Sequence, residues 1–268
     1  MNLVIIKPYE IAIGFALPWT VYDKNHRMLV KMGEVIKSKE QLDNLLALHP
    51  CREEIFEDYQ PISKDSADNY TNISPFEHIR DIAFRLKNIF NSLLNNKPGA
   101  LEQVTKINDE IMKLCDWDAD AALGALHRYT DLSYTVSHPI YTAILCELIT
   151  KRLNIPNKER LVILNAALTS NLGMIELQEK LYKQSDALHE EQKKTIHQHC
   201  EKSARILQAA GLEDTLWLDI IHQHHEKNHG DGYPAKLKES EIIREAKIVA
   251  LADRYAAMVA GRAYRDGM

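Results

Sequence analysis

The run HQHHEKNHGDGYP, at residues 222–234, concentrates side chains that bind metal ions. His222, His224 and His225 lie together at the predicted end of a helix, and His229 follows shortly before the Gly-Tyr-Pro turn. Imidazole is a common ligand for zinc, iron and nickel. A cation held in this way can polarise a phosphate ester or activate water for hydrolysis. The run therefore predicts a metal site, either complete and hydrolytic or retained only in part.

Two arginines near the end of the chain indicate a phosphate ligand. Arg262 and Arg265 are one helical turn apart and can face the same side. The planar guanidinium group binds phosphate through paired hydrogen bonds, and Lys236 adds a positive charge after the Gly-Tyr-Pro turn. An equally simple interpretation is that both arginines form salt bridges at a helix end. The residues by themselves leave both interpretations open.

The elements that must position these residues are helices. From Ala100 onward, apolar residues recur at helical spacing without an alternating strand pattern. An earlier helix is predicted at Ser74, because Ser74, Pro75 and Glu77 have the sequence of a capping box with proline at the first helical position. The later predicted helices span residues 100–114, 117–129, 135–153, 157–169, 175–182, 189–209, 214–227 and 240–260.

The beginning of the chain has a different pattern. Residues 11–23 are rich in aromatic and β-branched side chains, and residues 27–36 form a second predicted strand. Ser38 then caps a short amphipathic helix. Phe15, Trp19 and Tyr22 could line a ligand surface, but we expect them to serve mainly as core residues of this small module. The predicted divisions are a β-rich module at residues 1–53, an acidic and polar linker at 54–73 and a helical domain at 74–268.

Composition limits the functions that this chain can have. It has 268 residues, a net charge of −5 and 45% hydrophobic residues, so a broad nucleic-acid-binding surface is not expected. No apolar run approaches the ~20 residues of a membrane helix, and the N-terminus lacks the pattern of a secretory signal. The four cysteines are scattered without a CxxC pair, which predicts no disulfide framework. These features predict a globular cytoplasmic protein that does not bind membranes.

Ordered motifs in the helical region resemble those of the HD-GYP subgroup of the HD phosphohydrolase superfamily. The matching stretches are YTVSHPIYTAILCEL, KKTIHQHCEKSARIL, the HHE and GYP of the histidine run, ALADRYAAM and the terminal R-x-Y-R. Members of this family are all-helical, bind two or three metal ions, often iron or manganese, and hydrolyse the bacterial second messenger cyclic di-GMP. The resemblance implies that Tyr233, Arg262 and Arg265 contact the substrate. The metal ligands that it implies are His138, His199, His224, His225 and Asp253.

The chain departs from the family pattern at the positions closest to the chemistry. Ser170 and Asn171 stand where the family has its His-Asp pair, Met174 replaces a lysine, and His229 replaces an aspartate. In the family the aspartate of the pair spans two cations and offsets their repulsion. Asn171 offers only a neutral amide oxygen, and the Met174 thioether donates no hydrogen bond. Loss of one charge-stabilising donor typically costs on the order of a hundredfold in rate.

Three functional hypotheses follow from this altered motif set. The first is a mainly α, degenerate HD-GYP protein of cyclic di-GMP signalling, which binds the nucleotide or a protein partner with little or no hydrolysis. The second is an active phosphodiesterase with one metal ion or an altered pair, and the third is a structural scaffold. The retained residues predict one transition metal ion (iron, manganese or zinc) or none. A second cation would lose an imidazole and its bridging anion, which is a large loss in a partly buried site.

Overall fold

The computed structural model describes residues 3–6, 11, 13–14, 17, 19–53, 74–128, 132–184 and 186–259. By its internal contacts the chain divides into two compact units, Met1–Gln60 and Pro61–Met268. The predicted linker at 54–73 lies outside the described residues, as do Phe15, Arg262 and Arg265.

The N-terminal unit contains a small antiparallel sheet and a helix. Its described strands are β1 (Leu3–Ile5), β2 (Val21–Tyr22), β3 (Met28–Val30) and β4 (Cys51–Glu53), in the order β1-β4-β2-β3. Helix α1 (Lys39–Ala47) begins where predicted, because the Ser38 side chain accepts a hydrogen bond from the Gln41 N–H. Strands β1 and β4 were not predicted from the sequence, since three residues are too few for an alternating pattern.

The β2–β3 hairpin and its core explain why this part of the sequence is aromatic and β-branched. The Asp23 carboxylate accepts hydrogen bonds from the Asn25 N–H at 2.8 Å and the Arg27 N–H at 2.9 Å, which closes the turn. Trp19 is 7% exposed and lies in the core, as expected. The buried residues that pack together there are Ile6, Ile11, Leu17, Trp19, Val21, Ile36 and Leu45.

The second unit is helical, which confirms the predicted class of a mainly α protein with a small β-rich N-terminal module. Its helices are α2 (Pro75–Leu94), α3 (Ala100–Arg128), α4 (Tyr134–Arg152), α5 (Asn157–Thr169), α6 (Ile175–Lys183), α7 (Glu190–Ala209), α8 (Thr215–Gln223) and α9 (Arg244–Val259). A 3-10 turn at Leu172–Met174 joins α5 to α6.

Two of these helices show how local sequence sets the boundaries. The capping box at the start of α2 is present, with Ser74 Oγ accepting from Glu77 N and the Glu77 carboxylate accepting from Ser74 N. The helices predicted at 100–114 and 117–129 merge into α3, but Asp118 keeps non-helical angles (φ −153°, ψ 91°). Asp118 Oδ1 accepts from Ala121 N at 2.9 Å, so Asp118 caps the second half of α3.

Helix α4 forms the centre of this unit and packs against α3, α5 and α9. Ile140 and Ile144 on α4 are fully buried, and burial of one such side chain contributes roughly 1.5–3 kcal/mol. The stretch Asn157–Tyr182 is long and apolar enough to resemble a membrane span, but 61% of its apolar window is buried within the protein. Burial of this kind is typical of core helices.

Candidate metal centre and nucleotide cleft

Three histidines from neighbouring elements converge on one point. His199 lies on α7, His224 caps the C-terminus of α8, and His225 follows it directly. One possible ligand atom from each lies within 4.8 Å of the other two, and the Nε2 atoms of His199 and His224 are 3.4 Å apart. His199 and His224 are fully buried. The three residues predicted as ligands from the histidine run and α7 therefore meet in an enclosed position.

Backbone carbonyl groups orient two of these imidazole rings. The Nδ1 of His199 is 2.5 Å from Ile196 O, and the Nδ1 of His224 is 2.7 Å from Ile221 O. Because a carbonyl only accepts, each Nδ1 carries the hydrogen and each Nε2 presents its lone pair. Burial lowers the pKa of all three histidines, that of His199 to about 4. They are neutral at pH 7, which is the form that binds a metal ion.

A second group of polar residues centres on Asp253 of α9. His138 Nε2 lies 2.8 Å from Asp253 Oδ1, and Asn171 Nδ2 donates to the same oxygen at 3.4 Å. Burial would raise the pKa of the Asp253 carboxyl, but the hydrogen bond from His138 and the attraction of the neighbouring imidazoles, which become cationic at low pH, outweigh it and hold that pKa well below its usual range. The Asp253 carboxylate also acts electrostatically on the three converging histidines. The structure thus brings all five predicted ligands into one region.

The donor set of this region fits one transition metal ion. Buried Asn171 Oδ1 and His138 Nδ1 have no hydrogen-bond partner within the described part of the chain. A buried acceptor without a partner costs roughly 1–3 kcal/mol, and a cation near Asn171 would satisfy the amide oxygen. Neutral imidazoles with one carboxylate suit zinc, iron or manganese. The neutral Asn171 side chain, however, supplies no anion to bridge a second cation.

Ser170 does not replace the missing imidazole. Its Oγ is buried and donates to Ala167 O at 3.3 Å, and its own carbonyl accepts from Ser203 Oγ at 2.7 Å. Ser203 Oγ also accepts from Gly173 N at 2.9 Å, which ties the 3-10 turn to α7. A Cβ on Gly173 would lie 2.5 Å from His199 O. The turn that carries Asn171 can therefore pack this closely against α7 only with glycine at position 173.

Glu226, which follows the histidines, shapes the Gly-Tyr-Pro loop. Its carboxylate is buried and accepts hydrogen bonds from the backbone N–H groups of Ala235 at 2.6 Å, Lys236 at 3.0 Å and Leu237 at 3.0 Å. Both carboxylate oxygens are used in these bonds. Glu226 therefore orders the Gly-Tyr-Pro loop. It does not belong to the cluster of His199, His224 and His225.

The loop places Tyr233 over the metal region. The Tyr233 ring stacks on His225 with centroids 4.8 Å apart, and exposed His197 stacks on Tyr233 at 4.6 Å. Gly232 permits this return of the chain, because a Cβ there would lie 2.5 Å from Glu226 Cα. Burial raises the pKa of the Tyr233 hydroxyl. Tyr233, predicted to contact the substrate, therefore presents a protonated phenol beside His225.

A cleft of about 280 Å³ adjoins this region and reaches α4, α6 and α9. The wall next to the proposed metal ligands contains His138, Asn171 and Asp253, and Met174 contributes a thioether where the family resemblance implies a lysine. Arg254 supplies positive charge and forms no ion pair with the described residues. The further polar and aromatic side chains in the walls are Tyr134, Gln178, Tyr182, His225 and Tyr233.

An HD-domain family model matches residues 89–268 of this chain. The chain belongs to the HD-domain family. A solved structure of Bd1817, described as an HDG"Y"P protein from Bdellovibrio bacteriovorus, has a TM-score of 0.58, 18% identity and coverage of 96% of this chain and 88% of that chain. At this identity the likeness shows the fold alone. Together with the sequence relatives, it confirms the HD-GYP resemblance inferred from the motifs.

Curated relatives of this HD-domain chain include several bacterial phosphodiesterases. Cyclic di-GMP phosphodiesterase PdeB of Borreliella burgdorferi is 26% identical over 133 residues, covering 50% of this chain and 35% of PdeB. The 3'3'-cGAMP-specific phosphodiesterase 3 of Vibrio cholerae is 29% identical over 135 residues, covering 50% and 29%. A cyclic di-GMP phosphodiesterase of Thermotoga maritima is 34% identical over 102 residues, covering 38% and 28%. The HD-domain chain thus spans about a third of the length of these relatives.

Other histidines of the HD-domain chain lie away from the converging cluster. His222 Nδ1 is 3.7 Å from Glu201 Oε2. His229 is exposed and pairs with Lys238 in an isolated β-bridge. Among the described residues, neither His222 nor His229 belongs to the cluster that could hold a metal ion.

Sequence analysis missed Arg254, Gln178 and Tyr182 as cleft residues. Arg254 directly follows Asp253 and could have been suspected from that position. No motif marks Gln178 or Tyr182, because only the packing of α6 places them in the cleft.

Proposed function

We propose that this protein is a bacterial HD-GYP protein of cyclic dinucleotide signalling, which acts in the cytoplasm, binds cyclic di-GMP or a related nucleotide, and hydrolyses it weakly or not at all. The names of its relatives support the nucleotide class. The amide of Asn171 supports the loss of hydrolysis most directly. It lies beside Asp253 where the family resemblance implies a bridging carboxylate.

The arrangement favours one bound cation. His199, His224 and His225 would hold it, with Asp253 as the nearby carboxylate. A metal ion in such a site supplies Lewis-acid stabilisation of phosphate charge. The remaining positions, His138 and Asn171, offer no further anion, so a second cation would meet uncompensated repulsion.

Arg254 is the described residue best placed to bind the phosphodiester. Its guanidinium lies in the cleft wall next to the metal region, without a carboxylate partner among the described residues. Arg262 and Arg265 remain proposed phosphate contacts beyond the described part of the chain. Met174 adds no hydrogen-bond donor to the same wall, which favours binding over cleavage.

Metal analysis, calorimetry and a hydrolysis assay on the native protein test this proposal. We expect fewer than two equivalents of transition metal after anaerobic purification, measurable binding of cyclic di-GMP and poor turnover. Two full equivalents with rapid turnover would overturn the proposal in favour of an active phosphodiesterase. Absence of cyclic dinucleotide binding would overturn it in favour of a structural scaffold.

Rescue variants separate the two losses in the site. Ser170→His with Asn171→Asp should raise metal content, and added Met174→Lys should then raise turnover by on the order of a hundredfold. Ser170 is fully buried, so a histidine at this position could disturb the packing. The double variant Asn171→Asp with Met174→Lys keeps Ser170 and serves as the second test. If no variant hydrolyses cyclic di-GMP faster than the native protein, the substitutions at these positions are not the cause of weak hydrolysis.

A further inference from the structure

We infer that Gln178 and Tyr182 on α6 form a recognition site for a purine base of the bound nucleotide. The inference rests on the proposed function and specifies which part of the ligand the α6 wall of the cleft binds. Both residues line the cleft that also contains Asp253 and Arg254. A cyclic dinucleotide with its phosphate near Arg254 would have to place a base against one of the cleft walls.

Gln178 is a mostly buried polar side chain that lies in the cleft wall. It is 8% exposed and lines the cleft, and its amide makes no hydrogen bond with any residue that the structure describes. Unlike the Asn171 amide oxygen, the Gln178 amide is not fully enclosed by protein, so it opens to the cleft. A ligand in the cleft can therefore reach the donors and the acceptor of this amide.

Aromatic rings next to Gln178 provide a stacking surface. Tyr134 stacks on His138 with centroids 4.9 Å apart, and Tyr182 stacks on Tyr134 at 5.1 Å, with interplanar angles of 22° and 16°. His138 contacts Asp253, so the stack extends from the metal region to Tyr182. Tyr182 is only half-buried and lines the cleft. A nucleobase can extend such a stack, since every base presents a π-face.

The helix places these two groups for use by a single base. Gln178 and Tyr182 are four residues apart on α6, and residues at this spacing lie on the same helix face. A base stacked on Tyr182 would therefore have its edge near the Gln178 amide.

The amide chemistry favours a purine. A glutamine side chain offers one acceptor and two donors in a plane, and it pairs in a bidentate way with adenine. Guanine likewise presents a donor and an acceptor side by side on one edge. The two-ring purine also offers more stacking area than a pyrimidine. Adenine and guanine both present a donor and an acceptor that the amide can bind. Binding measurements with ligands that differ only in the base therefore show which purine the site prefers.

Calorimetry with cyclic di-GMP, cyclic di-AMP and cyclic di-UMP tests the base site on native protein, Gln178→Leu and Tyr182→Leu. We expect at least one purine ligand to bind more tightly than cyclic di-UMP. Gln178→Leu should weaken purine binding about threefold to tenfold, the effect of one or two hydrogen bonds, and should leave cyclic di-UMP unchanged. Gln103→Leu, at an exposed position on α3, is the matched control and should change nothing.

Thermal unfolding without ligand gives a second readout. Because the amide opens to the cleft and pairs with no described residue, Gln178→Leu should leave the ligand-free Tm within about 2 °C of the native value. A residue with a merely structural hydrogen-bonding role would lower it. A larger fall in Tm would overturn the inference.

The binding results separate this inference from the proposed function. If native protein binds the ligands and both variants bind them equally well, or lose all three equally, the base site is wrong and the proposed function stands. If native protein binds none of the three, the proposed function fails and the base site fails with it.

Discussion

Asn171 has nearly the shape of an aspartate, but its amide changes which partners the position accepts. The amide nitrogen donates to Asp253 at 3.4 Å while the amide oxygen stays without a partner. A carboxylate at the same place would repel Asp253 in the absence of a cation and would bind one in its presence. The amide group of Asn171 thus affects both the stability of the metal-free protein and the number of cations that the site can bind.

Asn171→Asp should therefore destabilise the metal-free protein and make it respond more strongly to metal. Two carboxylates at this separation should cost about 2 kcal/mol after partial proton uptake. We expect a lower Tm in a chelator and a larger gain than native on addition of Mn²⁺. Thermal unfolding in both conditions measures this, with exposed Asn88→Asp as the control. Equal Mn²⁺ responses of native and variant would contradict the expectation.

Arg254→Gln should weaken cyclic di-GMP binding at least about tenfold, because a hydrogen bond between an arginine and a phosphate contributes about 1.5–3 kcal/mol. The metal content and the circular dichroism spectrum should stay the same. Arg244→Gln is the matched control, since Arg244 lies at the start of the same helix but pairs with Glu159 and Glu245. Calorimetry decides the outcome, and unchanged affinity in Arg254→Gln would place the phosphate elsewhere.

Single residues also show where sequence analysis reaches its limit. The histidines and Asp253 could be selected because their motifs occur in a family order. Gln178 and Tyr182 belong to no such motif, and their proposed role in base recognition depends on the packing of α6 beside α4. Chemistry that arises only from tertiary contact does not appear in local spacing.

At the scale of elements, the turn Leu172–Met174 and the loop after α8 position the site. The predicted helix at 214–227 ends early, at Gln223, because His224 and His225 turn away from the helix and Glu226 draws the loop N–H groups around its carboxylate. The predicted helix at 240–260 likewise begins only at Arg244. Helical periodicity predicted that these helices exist, whereas side-chain hydrogen bonds set where they end.

Gly173→Ala should destabilise the protein by about 1–3 kcal/mol, the usual cost of overpacking. The added Cβ would meet His199 O at 2.5 Å and Ser203 N at 2.9 Å, so the 3-10 turn must move away from α7. Gly124→Ala is the matched control, because its Cβ meets nothing within 4 Å in helix α3, and it should stabilise by about 0.5–1 kcal/mol. Chemical denaturation measures both. Equal effects of the two substitutions would contradict the close packing of the turn.

At the scale of the whole molecule, two hydrophobic cores divide the chain. One joins the sheet and α1 through residues such as Val21 and Leu45, and the other fills the helical unit through residues such as Ile111 and Ile140. The change in the sequence from β-branched and aromatic residues to helical periodicity accompanies this division, and the predicted bounds of 1–53 and 74–268 stay predictions. The placement predicted for the linker at 54–73 stays a prediction.

A chain reduced to residues 61–268 should fold and keep the metal and nucleotide sites. Each proposed ligand and cleft residue lies in this unit, and the HD-domain match at 89–268 is contained in it. A unit with its own core can fold alone. We expect a helical circular dichroism spectrum, cooperative unfolding, and the metal content and cyclic di-GMP affinity of the full chain. The matched control is the full chain with the same purification and metal loading. A shortened protein that folds but loses metal would show that residues 1–60 contribute to the site, and one that fails to unfold cooperatively would show that the helical core depends on them.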